Sequence, residues 1–461
     1  MLIPLISTNT AIVVKALGDG EYSYLRTGKR SSGSSPLTSV CILHDQVLQA
    51  RLGNHPPGSA VTHTVYLPRM GKDLYLPKFQ GMLASLAGNT RGMSLRSLVE
   101  AWDMLRLIRH GGPALCNVAV TNSCNATCDF CNFANGKVGR KDLRWINADR
   151  FDAALQILHD KGVRYVSFFG GEPLLHTRLS DMIAMAIAKG MGPALITNGW
   201  LLPSKLDQLA SAGLKTVYVS IDAPSMHTHE RNRGLKGLGE RIRKATSRMP
   251  DLGMTALAQV TMSKLIDDYG ALVPLLKQLG FEAVAFSYPQ RTRLGSSSLA
   301  WSADSELVKF TDAELVRAFE AVDDLRNIFR VNNPHASIAD MKRHLLGEPE
   351  RFVCYGGYKS FYMDWNFDIW RCDAWRERMC SVWDFAKTAL VRDGCTACIA
   401  DCYRDSSVML HFAVSLGDAL DCLSKGHLGV ALKTIVNSRN LESLEAVVGN
   451  APVLSRLAKL G

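Results

Sequence analysis

The sequence predicts an α/β protein built around a partial (β/α)6 barrel, with a small β-rich region before it and a cysteine-rich extension followed by helices after it. Three observations predict this. Strand-like and helix-like segments alternate six times from residue 115 onward. Polar and glycine-rich signals fall directly after the strand-like runs. Nine of the twelve cysteines cluster in two groups, 124–131 and 354–402. Six such units over about 175 residues suit an open barrel, because a closed eight-fold barrel typically needs about 250.

The bulk numbers bound the class. A chain of 461 residues exceeds a single core, which predicts one large domain with flanking pieces. A hydrophobic content of 47% and a mean hydropathy of +0.01 describe a globular chain. The net charge of +10 is spread without a long Lys/Arg run, so no nucleic-acid arm is expected. No stretch approaches the roughly 20 apolar residues of a membrane span, and no signal peptide is read at the start. A cytoplasmic protein is expected, and its cysteine groups then point to metal rather than disulfides. Cys41, Cys116 and Cys422 stand alone and read as small buried hydrophobes.

The organisation read from the chain is 1–110, a β-rich N-terminal region of unknown function; 111–310, the partial barrel; 311–405, the cysteine-rich extension; and 406–461, a helical tail. Short β-like runs at 11–14, 39–43 and 65–67 are separated by Gly, Ser and Pro clusters, and a packing helix is expected at 94–109. The barrel strands are expected at 115–120, 163–168, 193–196, 216–221, 255–261 and 282–286. Helices are expected at 148–161, where Asn147 is the N-cap and Phe151, Leu155 and Leu158 share a face, and near 179–189, 203–212, 238–249 and 269–279. Further helices are expected at 312–330, 408–423, 427–436 and 441–448. The tail reads as a packing or dimer element.

After the first strand comes Thr-Asn-Ser-Cys-Asn-Ala-Thr-Cys-Asp-Phe-Cys, which places Cys124, Cys128 and Cys131 on one loop. Three thiolates can hold three irons of a cubane and leave the fourth open. A structural zinc site usually takes four ligands, and no fourth Cys or His is near in sequence; a distant one would complete it. The second strand ends in Ser-Phe-Phe-Gly-Gly-Glu-Pro, where glycines let the backbone approach a ligand and Glu172 can accept from an ammonium. The CxxxCxxC spacing, with Phe130 before the last Cys, and the GGEP of residues 170–173 together resemble the radical S-adenosylmethionine (SAM) superfamily.

The resemblance implies a [4Fe-4S] cluster on Cys124, Cys128 and Cys131 whose unique iron chelates SAM. It implies that Gly170, Gly171, Glu172 and Pro173 contact the SAM amino group. Thr197, Asn198, Ser220 and Asp222, at the ends of the third and fourth strands, are expected near its methionyl and ribose parts; packing or turn formation is the competing reading. Residues 226–234, Met-His-Thr-His-Glu-Arg-Asn-Arg-Gly, resemble a segment whose arginine meets the SAM carboxylate, with Arg233 the first choice and Arg231 the second. His227 and His229 read as loop residues in a solvated or hydrogen-bonding role. Residues 259–261 are expected to border the adenine.

In the second group, Cys354 and Cys372 flank a predicted hairpin turning at 366–368, and Cys395-xx-Cys398-xxx-Cys402 forms a knuckle. Four thiolates so delivered can close a site around Fe–S or zinc. The arrangement resembles the SPASM/twitch extension, which carries auxiliary [4Fe-4S] clusters. A full SPASM domain usually has seven cysteines and this stretch has six, so a single twitch-like cluster on Cys354, Cys372, Cys395 and Cys398 is favoured, with Cys402 able to replace one and Cys380 spare.

The implied function is reductive cleavage of SAM to a 5′-deoxyadenosyl radical that abstracts hydrogen from a substrate. A fully ligated second cluster fits electron transfer, and hence oxidative modification of a peptide or small polar metabolite. The alternatives are radical group transfer to a small molecule or lipid precursor, and a zinc-binding interaction protein with degenerate motifs. A ferredoxin or flavodoxin is the expected electron donor. Ser287, Tyr288, Gln290, Arg291 and Arg293 are candidate pocket residues, with an ordinary polar loop as their competing reading.

Overall fold

The computed structural model describes six strands within the first hundred residues and, beyond them, residues 106–289, 305–372 and 375–458. The chain divides into two compact units, Met1–Ala101 and Trp102–Gly461.

In the first unit, β1 (Leu2–Ser7), β2 (Thr10–Gly18) and β3 (Glu21–Thr27) form an antiparallel meander. Two further strands, β4 (Val40–Leu43) and β5 (Gln46–Gln49), make a separate hairpin, and β6 (Thr64–Tyr66) adds to β3. Of the runs expected at 11–14, 39–43 and 65–67, residues 11–14, 40–43 and 65–66 fall in strands, and 39 and 67 lie outside the described residues. Of the expected helix at 94–109, residues 94–105 lie outside the described residues.

The second unit contains the barrel. Strands β7 (Ala114–Thr121), β8 (Val163–Gly170), β9 (Gly192–Thr197), β10 (Thr216–Ile221), β11 (Thr255–Thr261) and β12 (Val284–Ser287) lie side by side in chain order, all parallel. Parallel strands need covered faces, which explains why they read as near-continuous apolar runs. The cover is supplied by α1 (Ala148–Asp160), α2 (Leu179–Ala188), α3 (Leu202–Ser211), α5 (Leu238–Thr246) and α6 (Leu272–Gln278), while α4 (Met226–Arg233) follows β10 without an apolar face. The side chain of Asn147 accepts from the backbone N of Asp149 and Arg150, which starts α1. The helix then buries Phe151, Leu155 and Leu158 against the sheet, with the Phe151 and Phe168 rings 5.8 Å apart.

Three differences from the sequence expectation have physical causes. Residues 226–233 are helical, not loop; this stretch has almost no apolar face, and it is held by a Ser225 N-cap and a left-handed Gly234 at its end. After α7 (Asp312–Leu325), which opens with a Thr311/Glu314 capping box, the chain turns back early because Arg326 donates to the carbonyls of Val331 and Asn333. An unexpected helix, α8 (His335–Leu346), follows Pro334 and buries Ile338, Met341 and Leu345.

The extension joins the barrel through its backbone. Strand β13 (Ser360–Met363) pairs in parallel with β7, residue 360 opposite 115. It turns antiparallel into β14 (Asp368–Trp370), and β15 (Arg378–Ser381) follows, so one nine-stranded sheet runs from β12 to β15. The tail consists of α9 (Asp401–Ser424), α10 (Leu428–Ile435), α11 (Ser438–Gly449) and α12 (Ala451–Ala458). Among the described residues, no helix is long and apolar enough to cross a membrane.

Candidate functional site

The thiol loop leaves the carboxyl end of β7, where the barrel gathers its polar residues. Asn122 holds its start: its side chain donates to Asp142 O and accepts from Arg144 N at 2.7 Å. Phe130 is buried in the core, which anchors the turn between Cys128 and Cys131 and explains the aromatic residue at that place. On the far side, Arg233 O accepts from Thr127 N, and Asn232 Oδ1 accepts from Asp129 N. Helix α4 therefore clamps the loop.

The two glycines after β8 are required by the chain's own packing. A Cβ on Gly171 would stand 2.1 Å from Ser123 O, and one on Gly170, whose φ is +130°, would stand 2.4 Å from Thr121 O. The close approach these glycines permit is to the backbone of the thiol loop, with Gly171 N donating to Thr121 O and Glu172 N to Ser123 O. Pro173 is buried at the start of a short helical turn.

Glu172 is fully buried and works as a staple between strand ends. Its Oε1 accepts from Thr197 Oγ1 at 2.7 Å and Leu174 N at 3.0 Å, and its Oε2 accepts from Asn198 N at 2.8 Å. Three of its roughly four acceptor positions are filled within the protein. Burial pushes the carboxyl above its usual range against these three bonds. Asn198 reaches on to Asn125 Oδ1 in the thiol loop at 2.8 Å, and Ser220 Oγ donates to Thr197 O. Glu172, Thr197, Asn198 and Ser220 are thus linked into one network behind the loop.

Asp222 and Arg233 form a second buried unit. Arg233 donates to Asp222 Oδ1 at 2.6 Å, Asn232 donates to Oδ2 at 2.8 Å, and the Asp222 backbone N donates to His229 Nδ1 at 3.1 Å. Burial opposes ionisation of Asp222, but the Arg233 charge and these bonds outweigh it and hold the carboxyl well below the usual range. His229 is fully buried and His227 exposed, so the two histidines read as a pair occupy opposite environments. Arg231 is exposed. The Arg233 Nε has no hydrogen-bond partner among the described residues.

The three thiols suit a cluster. Burial pushes Cys124 and Cys128 up to about 12 and Cys131 to about 11, while the Arg233 cation acts on all three in the opposite direction. As free thiols they stay protonated; strongly bound cations make thiolates of them. Among the described residues, no three His, Cys, Asp or Glu side chains converge on a single ion. Thiolates that each bind a separate iron of a cubane need no such convergence.

Residues 118–265 match the Radical SAM superfamily. The barrel is a radical SAM domain. This fold takes SAM and a [4Fe-4S] cluster as its cofactors. The chain is 36% identical over 107 residues to a GTP 3′,8-cyclase of Chlorobaculum tepidum, covering 23% of this chain and 32% of that protein. It is 26% identical over 162 residues to an AdoMet-dependent heme synthase of Nitratidesulfovibrio vulgaris, covering 34% of this chain and 44% of that one. The chain therefore spans less than half the length of these two relatives. Among solved structures, SuiB of Streptococcus suis bound to S-adenosylmethionine overlays with a TM-score of 0.46 at 18% identity, covering 67% of this chain and 74% of that chain.

Beyond the radical SAM domain, the extension gathers four cysteines. Cys354 and Cys372 are buried together with Ala400 and Tyr403, and Cys395 and Cys398 pack against them. Cys354 N donates to Cys395 O at 2.8 Å, and Gly356 N donates to Cys354 Sγ at 3.3 Å. Cys402 lies outside this group, exposed in the first turn of α9; Cys380 sits on β15 opposite Ile369. Cys116 is buried in the barrel core, Cys422 is half-buried, and the side chain of Cys41 lies outside the described residues.

Of the pocket candidates, Ser287 accepts from Gln259 Nε2 at 2.6 Å, so two half-buried polar side chains meet at the carboxyl ends of β11 and β12. Tyr288 is buried, and its hydroxyl donates to Asp405. Gln290, Arg291 and Arg293 lie outside the described residues.

Proposed function

We propose that this chain is a radical SAM enzyme that removes hydrogen from a polar substrate, a peptide side chain or small metabolite, and oxidises it by two electrons. The carrying observation is the pairing of a three-thiol loop on the barrel with a separate, packed group of four cysteines. Cys124, Cys128 and Cys131 would hold the SAM-binding cluster, which would supply the radical chemistry when bound. Glu172, through Thr197 and Asn198, holds the strand ends beneath that loop; Arg233, compensated by Asp222, offers its Nε to an anionic group such as the SAM carboxylate. Gln259 and Ser287, which meet at the carboxyl ends of β11 and β12, would orient a polar substrate.

Cys354, Cys372, Cys395 and Cys398 would hold a cluster through four thiolates, and such a cluster would supply an electron acceptor. On this reading the substrate would lose one hydrogen atom, then one electron and one proton, a net two-electron oxidation. A ferredoxin or flavodoxin supplies the initiating electron.

The test is anaerobic reconstitution with iron and sulfide, followed by metal analysis and an assay for 5′-deoxyadenosine. About eight irons per chain and 5′-deoxyadenosine formation that disappears in Cys124→Ala are expected. A colourless protein holding only zinc overturns the proposal. Consumption of 5′-deoxyadenosine into the product favours group transfer.

A further inference from the structure

The guanidinium of Arg371 ties together the three segments that carry the extension's cysteines. It directly precedes Cys372. Its Nε donates to Gly356 O at 3.1 Å, in the turn that follows Cys354. Its two terminal nitrogens make a bidentate pair with Asp393 at 2.5 and 2.7 Å, and Asp393 Oδ1 in turn accepts from Cys395 N at 3.2 Å. Gly357, at φ +85°, leaves room for the arginine stem, since a Cβ there would stand 2.8 Å from Arg371 Cγ.

Position and charge act together here. The Arg371 side chain is only 3% exposed, whereas that of Asp393 is 47% exposed. Water therefore screens the carboxylate more than the guanidinium. The guanidinium is thus held next to Cys372 in the chain, against the turn after Cys354, and through Asp393 to the backbone N of Cys395.

From this placement we infer that Arg371 is a positioning residue that sets the reduction potential of a cluster held by Cys354, Cys372, Cys395 and Cys398, and that Asp393 moderates it. A cubane on four thiolates gains one negative charge on reduction, so a buried cation beside it favours the reduced form and raises the potential. This rests on the auxiliary-cluster reading above.

Both readings are tested on the full-length chain. Cys354→Ala comes first: iron lost relative to wild type shows the auxiliary cluster, and unchanged iron ends that reading by itself. Potentials are then measured by dithionite titration followed by electron paramagnetic resonance in a Cys124→Ala/Cys128→Ala/Cys131→Ala background, so that the extension supplies the signal. Arg371→Gln shifts the potential downward, Arg371→Lys returns it toward wild type, and Asp393→Asn, which keeps an acceptor for Cys395 N, shifts it upward. Opposite signs at partners of one ion pair are not produced by a merely structural role. If Arg371→Gln loses its iron, Arg371→Lys and Asp393→Asn decide. Iron-replete variants with an unchanged potential, or both shifting in one direction, overturn the inference.

Discussion

Arg233 donates to Asp222 across 2.6 Å with both side chains buried, and the same helix turn accepts a hydrogen bond from the thiol loop through Arg233 O. Removing one partner of a buried pair leaves an uncompensated charge, at a cost of about 3–5 kcal/mol. Asp222→Ala is expected to lower the stability of the cluster-free protein by that amount in urea unfolding. Arg233→Lys, which keeps the charge but not the fork, is expected to cost less while weakening SAM binding at least tenfold.

Gly171→Ala places a methyl group against a backbone carbonyl that cannot swing away. The loop carrying Cys124 must shift, so this variant is expected to retain fewer irons after reconstitution than wild type while keeping the extension's share. Gly429→Ala serves as the control, since it lies in helix α10 and no atom stands within 4 Å of a Cβ there.

Glu172→Gln keeps the shape of the side chain but turns one acceptor into a donor. One of the two backbone N–H groups or the Thr197 hydroxyl then loses its partner in a buried place. A loss of about 1–3 kcal/mol is expected in thermal or urea unfolding. Because burial holds the wild-type carboxyl above its usual range, its ionised form is disfavoured in the fold. The wild-type protein is accordingly expected to gain stability relative to the variant as pH falls through the carboxylate range.

Lys359 is buried, donates to Gly112 O, and is lowered by its burial from 10.5 to about 8. The unfolded chain therefore holds the proton more tightly than the fold. Stability rises as pH increases from about 8 to about 10.5, by up to about 3 kcal/mol. The difference between wild type and Lys359→Met, followed by chemical unfolding across that window, should show this rise; a flat difference contradicts it.

In the extension, Cys372→Ala is expected to lose the iron of the second site, whereas Cys380→Ala and Cys402→Ala keep it. Iron content per chain distinguishes these outcomes directly.

The barrel strands were legible because each is a buried apolar run closed by Gly or a polar residue, and the observed ends differ from expectation by two residues at most. Helix α4 was not read: residues 226–233 carry no apolar stripe, and that absence outweighed the local signals at its ends, the Ser225 N-cap and the left-handed Gly234. Cys354, Cys372, Cys395 and Cys398 were readable as a set, since metal chemistry restricts residue type and spacing. The part played by Arg371 was not, because it depends on a turn, a hairpin and a knuckle meeting in space. For the glycines at 170 and 171, the sequence showed that something approaches closely but not that the neighbour is the thiol loop itself.

The pairing of β13 with β7 has a consequence for electron flow. The strand that delivers Cys124 and the hairpin that delivers Cys372 share one hydrogen-bonded register, from residue 115 opposite 360 to residue 118 opposite 363. If both cysteine groups hold clusters as proposed, their spacing would be set by this sheet register. Removing the extension would also leave β7 as an open edge beside its thiol loop, a template for pairing with another chain, so the same backbone bonds that fix the extension also protect the barrel from aggregation.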